Sequence, residues 1–160
     1  MARVAVMGSG SMGTAYGMIM ADAGGDVGMW AREPEVVDDI NKNHRNEMYH
    51  PGLGLPENLW CSIDPQEVLS DAEIVILAIP SQTVRENLTA WASLIDPDSL
   101  LVTLMKGIEQ GTKLRMSQVL AEVADIPIDR VAVVSGPNLA REIIQRQPAA
   151  TTVALSLIHI

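Results

Sequence analysis

The feature that most constrains this chain is six residues long. Gly8-Ser9-Gly10-Ser11-Met12-Gly13 follows the apolar run Val4-Ala5-Val6-Met7 and opens a helical segment that begins near Ser11. A strand, a glycine-rich turn and a helix in that order are the context a dinucleotide-binding fingerprint requires. Gly8 permits the tight turn, Gly10 removes the Cβ that would keep a pyrophosphate off the backbone, and Gly13 lets the helix lie close on the strand. The helix N-terminus then offers unbonded N–H groups and partial positive charge to phosphate.

Further apolar runs occupy residues 27–30, 74–79, 100–104, 131–134 and 151–155. Runs apolar on both faces suit a parallel sheet covered on both sides. Amphipathic segments lie between them. Asp64-Pro65-Gln66-Glu67 offers an N-cap acid, a proline at the first helical position and a glutamate three residues after the cap, and Ser81 is positioned to cap the segment running to Leu94. Alternating strand and helix predict an α/β fold of Rossmann type: a doubly wound, mostly parallel sheet with helices on both faces. Residues 41–56, which include Tyr49-His50-Pro51-Gly52-Leu53-Gly54-Leu55-Pro56, read as a loop, either functional or a plain surface connection.

A chain of 160 residues with 48% hydrophobic content is long enough for one core. Its net charge of −9, spread without long runs, argues against a nucleic-acid partner, which would need a clustered positive face. Cys61 is the only cysteine, so neither a disulfide nor a thiolate metal cluster is expected, and the usage fits a cytoplasmic protein. The first residues run directly into a strand pattern without a secretory leader, and no apolar stretch has the length of a membrane span.

The second strand ends in Ala31-Arg32-Glu33. NAD-selective domains place an acid here to hold the ribose 2′-hydroxyl, whereas a guanidinium suits a 2′-phosphate. Arg32 therefore predicts that NADP is accepted, Glu33 leaves NAD open, and a solvated Arg32 at a strand end is the plain alternative.

Four segments then narrow the reading. Trp30-Ala31-Arg32, Ala78-Ile79-Pro80-Ser81, Lys106-Gly107-Ile108-Glu109 and Ser135-Gly136-Pro137-Asn138-Leu139-Ala140-Arg141-Glu142 follow the second, fourth, fifth and sixth strands, and Leu53-Gly54-Leu55-Pro56 precedes the third. In order and spacing they resemble the amino-terminal half of bacterial NAD(P)-dependent glycerol-3-phosphate dehydrogenases. The resemblance implies NADP or NAD as cofactor and a small phosphate substrate. To the cofactor residues Gly8, Gly10, Gly13 and Arg32 it adds Ser11 and Met12 on the cofactor phosphates and Tyr49 toward the ribose or adenine end. It places Lys106 at both nicotinamide and substrate, Gly136 and Asn138 at the substrate, and Ala140 near the cofactor. Simpler alternatives are a turn lysine for Lys106 and a helix cap for Asn138. Two positions depart from the family: Met12 stands where an aromatic residue is common, and Asn138 where serine is more frequent.

The resemblance further implies interconversion of dihydroxyacetone phosphate and sn-glycerol 3-phosphate for phospholipid synthesis, and it admits a homodimer when the protein is full length. The general-base lysine belongs to a carboxyl-terminal substrate domain absent from this chain, so residues 1–155 are expected to bind cofactor but hardly catalyse. Residues 156–160, Ser-Leu-Ile-His-Ile, are of doubtful continuity, because a hydrophobic strand at a chain end leaves an exposed edge. His44 and His50 lack the companions of a metal site, Met18, Met20 and Met29 read as core filling, and Trp60 and Trp91 as packed aromatics. Two alternatives remain: another two-domain dehydrogenase, such as a ketopantoate reductase or nucleotide-sugar dehydrogenase, or a non-catalytic dinucleotide-binding module.

Overall fold

A computed structural model describes residues 1–156. The doubt over the tail falls, apart from Ser156, outside the described residues.

The chain alternates β1 (Arg3–Met7), α1 (Ser11–Asp22), β2 (Asp26–Trp30), α2 (Pro34–Asn43), β3 (Leu59–Ser62), α3 (Pro65–Leu69) and β4 (Ile74–Leu77). It continues with α4 (Val84–Trp91), β5 (Leu100–Thr103), α5 (Met116–Ala124), β6 (Val131–Ser135), α6 (Ala140–Ile144) and β7 (Thr152–Ala154). The strands form one sheet in the order β3-β2-β1-β4-β5-β6-β7, with every neighbour parallel except β7 on β6. Side chains alternate between faces along a strand, and both faces are covered. Val4 and Val6 point into one core with α1, α2 and α6, while Ala5 and Met7 point into another with α3, α4 and α5. That double burial is why β1 reads as an unbroken apolar run. The core also takes Met18 and Met29 fully and Met20 partly.

The sequence signals hold in some places and fail in others. Asp64 caps α3 by accepting from the Gln66 N–H at 2.9 Å. Glu67 does not reach back to the cap N–H; it accepts from Ser62 Oγ at 2.6 Å, and that hydroxyl oxygen accepts from the Asp64 N–H. Ser81 is not a cap. It starts a 3₁₀ turn, Ser81–Thr83, which leads into α4 without any side-chain cap. The loop is shorter than the glycines and prolines suggest, because Asn41–43 complete α2, where Lys42 pairs with Asp38 and Asn43 donates to Asp39. The loop begins at His44, whose left-handed backbone (φ 50°) ends the helix.

β3 is the strand whose limits the apolar pattern does not mark. It is four residues long, and Trp60 lies across β2, where a Cβ on Gly28 would sit 2.5 Å from its ring. Arg3 lies over the same ring, with its guanidinium carbon 4.8 Å from the ring centroid. Trp91 packs edge-on against Trp30, centroids 4.9 Å apart. At the opposite edge all three residues of β7 are exposed. Among the described residues no helix is long and apolar enough to cross a membrane.

Candidate functional site

The strand order reverses direction of winding between β1 and β4. Open α/β sheets present their ligand crevice beyond the carboxyl ends of the strands at such a point. A cleft of about 430 Å³ lies there, walled by Gly8, Ser9 and Gly10 after β1, Trp30, Arg32 and Glu33 after β2, and Ala78, Ile79 and Pro80 after β4. Thr83, Asn87 and Tyr49 complete it.

The glycines divide the labour sterically. Gly8 has φ +126°, and a Cβ on it would meet the Ala78 carbonyl oxygen at 2.6 Å, so the turn needs both its conformation and its bareness. A Cβ on Gly13 would lie 1.9 Å from the Gly8 carbonyl oxygen, which fixes how closely α1 approaches the turn. A Cβ on Gly10 would meet nothing within 4 Å. Gly10 thus presents bare backbone to open space. It is also the N-cap of α1, with no side-chain cap and no acidic residue in the first turn. The first N–H groups of the helix are therefore unspent and face no carboxylate of their own turn, which suits a bound diphosphate.

The loop after α2 braces this turn. Asn46, 1% exposed, donates to the Ser9 carbonyl at 2.9 Å and to Thr14 Oγ1 at 2.8 Å. His50 Nε2 donates to the Ser11 carbonyl at 2.8 Å and lies 3.3 Å from Ser11 Oγ. The two anchors bracket Tyr49 and hold it at the cleft mouth. Asp39 fastens the start of the loop: the backbone N–H of Glu47 and the amide of Asn43 both donate to it and hold its carboxyl below the usual range.

Of the expected cofactor residues, Gly8, Gly10, Arg32 and Tyr49 line the cleft. Ser11, Met12 and Gly13 begin α1 beside it without lining it, and the partly buried Met12 side chain packs against the core. Arg32 points outward and is paired with Glu33. Two wall residues escaped the sequence reading: Thr83 and Asn87, four positions apart at and within the start of α4, a spacing that was the available signal. Trp30 belongs to the same wall, with its indole N–H donating to the Ile63 carbonyl at 3.0 Å.

A second group gathers at the ends of β5 and β6. Lys106 Nζ donates to the Gly136 carbonyl at 3.3 Å, so two of the three expected substrate residues touch. Neither lines the cleft described above. Asn138 is buried and turned inward, donating to Tyr16 Oη at 2.9 Å and to Thr151 Oγ1 at 3.2 Å, while its Oδ1 has no partner. Ala140 begins α6. The loop carrying Lys106 is clamped from α4. Gln82 donates to the Ile108 carbonyl and accepts from the Gln110 N–H, each at 2.9 Å. Arg85 grips Glu109 through two bonds, at 2.8 and 3.0 Å, and also reaches Glu122. The Arg85 bonds, then that from Thr112, hold the Glu109 carboxyl below its ordinary range. Glu109 is thus a structural tie, not a free acid.

Comparison with known proteins agrees with this geometry. Residues 3–159 match the family described as NAD-dependent glycerol-3-phosphate dehydrogenase N-terminus. A glycerol-3-phosphate dehydrogenase (NAD(P)+) of Corynebacterium jeikeium is 56% identical over 96% of this chain and 46% of its own length. The glycerol-3-phosphate dehydrogenase structure from Coxiella burnetii superposes with a TM-score of 0.84 at 31% identity, over 94% of this chain and 45% of that one. The Saccharomyces cerevisiae enzyme gives 0.88 at 30% identity, over 96% and 47%. The chain spans about half the length of the curated relatives it matches. Rival two-domain dehydrogenases share the wound sheet, but the matched sequence runs through every segment singled out above. The chain belongs to the family of the NAD-dependent glycerol-3-phosphate dehydrogenase N-terminus.

Proposed function

We propose that residues 1–155 form the NAD(P)-binding domain of a glycerol-3-phosphate dehydrogenase. In the whole protein it works with a carboxyl-terminal substrate domain to interconvert dihydroxyacetone phosphate and sn-glycerol 3-phosphate, a precursor of glycerophospholipids. The observation that carries the proposal is the bare Gly10 backbone and uncapped α1 N-terminus opening onto a cleft at the switch point.

In this reading Gly8, Gly10 and Gly13 shape the cradle, and the N–H groups of Ser11, Met12 and Gly13 bind the diphosphate. Arg32 receives a 2′-phosphate, Tyr49 covers the adenosine end, and Ala140 borders the cofactor. Lys106, a compact cation, draws in and orients the anionic substrate, with Gly136 and Asn138 beside it. The bound dinucleotide supplies or accepts hydride. Trapping the substrate over that cofactor, rather than proton transfer, is the contribution of these residues. NADP and NAD are both accepted. A cytoplasmic setting, supported by the unpaired Cys61, the absence of a nucleic-acid partner, supported by the net charge of −9, and a full-length homodimer complete the proposal.

The test has two stages. Titration of the chain with NADPH and NADH, followed through tryptophan fluorescence, is expected to give saturable binding, because Trp30 stands in the cleft wall. Joining the chain to the remaining part of the Corynebacterium jeikeium relative is expected to restore oxidation of reduced cofactor that depends on dihydroxyacetone phosphate, and Lys106→Ala is expected to abolish most of it. A folded chain that binds neither cofactor refutes the cleft assignment; binding without restored turnover refutes the enzymatic one.

A further inference from the structure

Lys106 stands between two pieces of fixed backbone. On one side the end of β5 is tied down: the Leu104 N–H donates to the Leu77 carbonyl at 3.2 Å, and the Met105 N–H to Thr103 Oγ1 at 3.1 Å. On the other side residues 108–115 fold back on themselves, with Ile108 bridged to Arg115 and the Glu109 N–H donating to the Leu114 carbonyl at 2.9 Å. Gly107 joins the two at φ +99°, a left-handed conformation that residues with side chains resist. Where Lys106 stands therefore depends on how the small hairpin beyond Gly107 is held against the domain.

Gln82 holds it by the backbone. Its amide donates to the Ile108 carbonyl and accepts from the Gln110 N–H, so it grips the chain on both sides of Glu109, two residues from Lys106. One partner is an acceptor and the other a donor, so the amide faces only one way. Arg85 adds a hold on the Glu109 side chain. Gln82 is itself exposed, so burial does not account for its placement. The next residue, Thr83, and Asn87 one turn later line the cleft, so a single turn of chain borders the cleft on one side and carries the lysine loop on the other. Lys106 Nζ spends one of its three N–H donors on the Gly136 carbonyl, and two remain for an anion. We infer that Gln82 is a positioning residue, which sets the Lys106 ammonium for the phosphate-bearing substrate by fixing the backbone of residues 108–110. The inference rests on the reading of Lys106 as a substrate ligand.

Reductive methylation with carbon-13 labels the three lysines of the chain, Lys42, Lys106 and Lys113, and Lys106→Arg identifies the Lys106 signal in the NMR spectrum. Wild type, Gln82→Ala and Gln82→Glu are compared, with thermal melting as the check on folding. Gln82→Ala is expected to melt close to wild type, because the side chain is exposed. Its Lys106 signal is expected to move about halfway or more toward the position it takes in urea, while that of Lys42, on α2, stays in place. Gln82→Glu keeps the acceptor for Gln110 and loses the donor to Ile108, so its Lys106 signal is expected to fall between the two. A Lys106 signal that is the same in wild type and both variants overturns the inference. In chains joined to the remaining part of the Corynebacterium jeikeium relative, Gln82→Ala is expected to raise KM for dihydroxyacetone phosphate roughly three- to tenfold and KM for NADPH by less than about twofold. Equal rises in both overturn the inference, because Gln82 then acts through the cleft wall. A joined wild-type protein without turnover refutes the enzymatic reading instead, and the Lys106 signal alone then decides whether Gln82 positions the lysine.

Discussion

Gly13 and Gly10 are three residues apart in one motif, yet replacing them with alanine is expected to break different things. At Gly13 the added Cβ would sit 1.9 Å from a backbone oxygen, whereas ordinary contact begins near 3.4 Å, so α1 has to move by about 1.5 Å. No flexible side chain can yield in its place. Overpacking of this kind costs about 3 kcal/mol at the upper end of its usual range, and alanine returns about 1 kcal/mol of helix propensity. The net loss of about 2 kcal/mol corresponds to a melting temperature roughly 4–8 °C lower for a domain of this size. The shift also carries the α1 N–H groups away from the phosphates, so cofactor affinity falls with stability. At Gly10 the Cβ meets nothing, so Gly10→Ala melts close to wild type while still intruding where the diphosphate would lie. Differential scanning calorimetry and a cofactor titration on both variants check this. Equal melting temperatures for Gly13→Ala and wild type, or unchanged cofactor affinity in Gly10→Ala, would refute the division of roles.

Two further outcomes follow from side-chain environments. Burial pushes the Cys61 thiol up to about 12 and leaves the residue 3% exposed. A disulfide reagent at pH 8 should therefore find about one thiolate in ten thousand and react only when the chain is unfolded; fast labelling of the native protein would contradict the placement. Because Arg85 and Thr112 lower the folded-state value of Glu109, its stabilisation is fully present above the unfolded carboxylate value of about 4.3 and is lost as pH falls through the lowered one. Melting curves of wild type and Glu109→Gln should differ by a constant amount above about pH 5 and converge below it. A gap that stays constant down to pH 3 would exclude the ion pair as its source.

The legible parts of this chain were those governed by local rules. The glycine turn, the Asp64 cap and the apolar strands follow from backbone sterics and burial over a few residues, and most of the fold follows from them. What stayed hidden depends on partners distant in sequence. Asn138 is turned toward Tyr16, 122 positions earlier, and nothing in Gly-Pro-Asn discloses that. Gln82 lies within a flagged stretch, but its grip on the loop at Ile108 appears only once β4 and β5 are side by side. The limits of β3 stayed open because a four-residue strand ending in Cys61-Ser62 carries too little periodicity, and the end of α2 was missed because its last turn is polar. At the site, the motif pointed to Arg32 but not to its tie with Glu33, a choice of rotamer rather than of sequence.

Among the described residues α1 is clasped by α6 and the turn that follows it. Arg146 bonds Asp22 through two contacts across 124 positions, and Ile143 and Ile144 share a core with Ala15 and Met18. A ribosome adding 5–20 residues per second takes roughly 6–25 s to cover that interval. Throughout it, α1 and the glycine turn at its head are outside the exit tunnel with one flank uncovered. The glycine turn is thus synthesised well before the flank that encloses its helix, and a nascent chain must keep that flank out of trouble until α6 emerges.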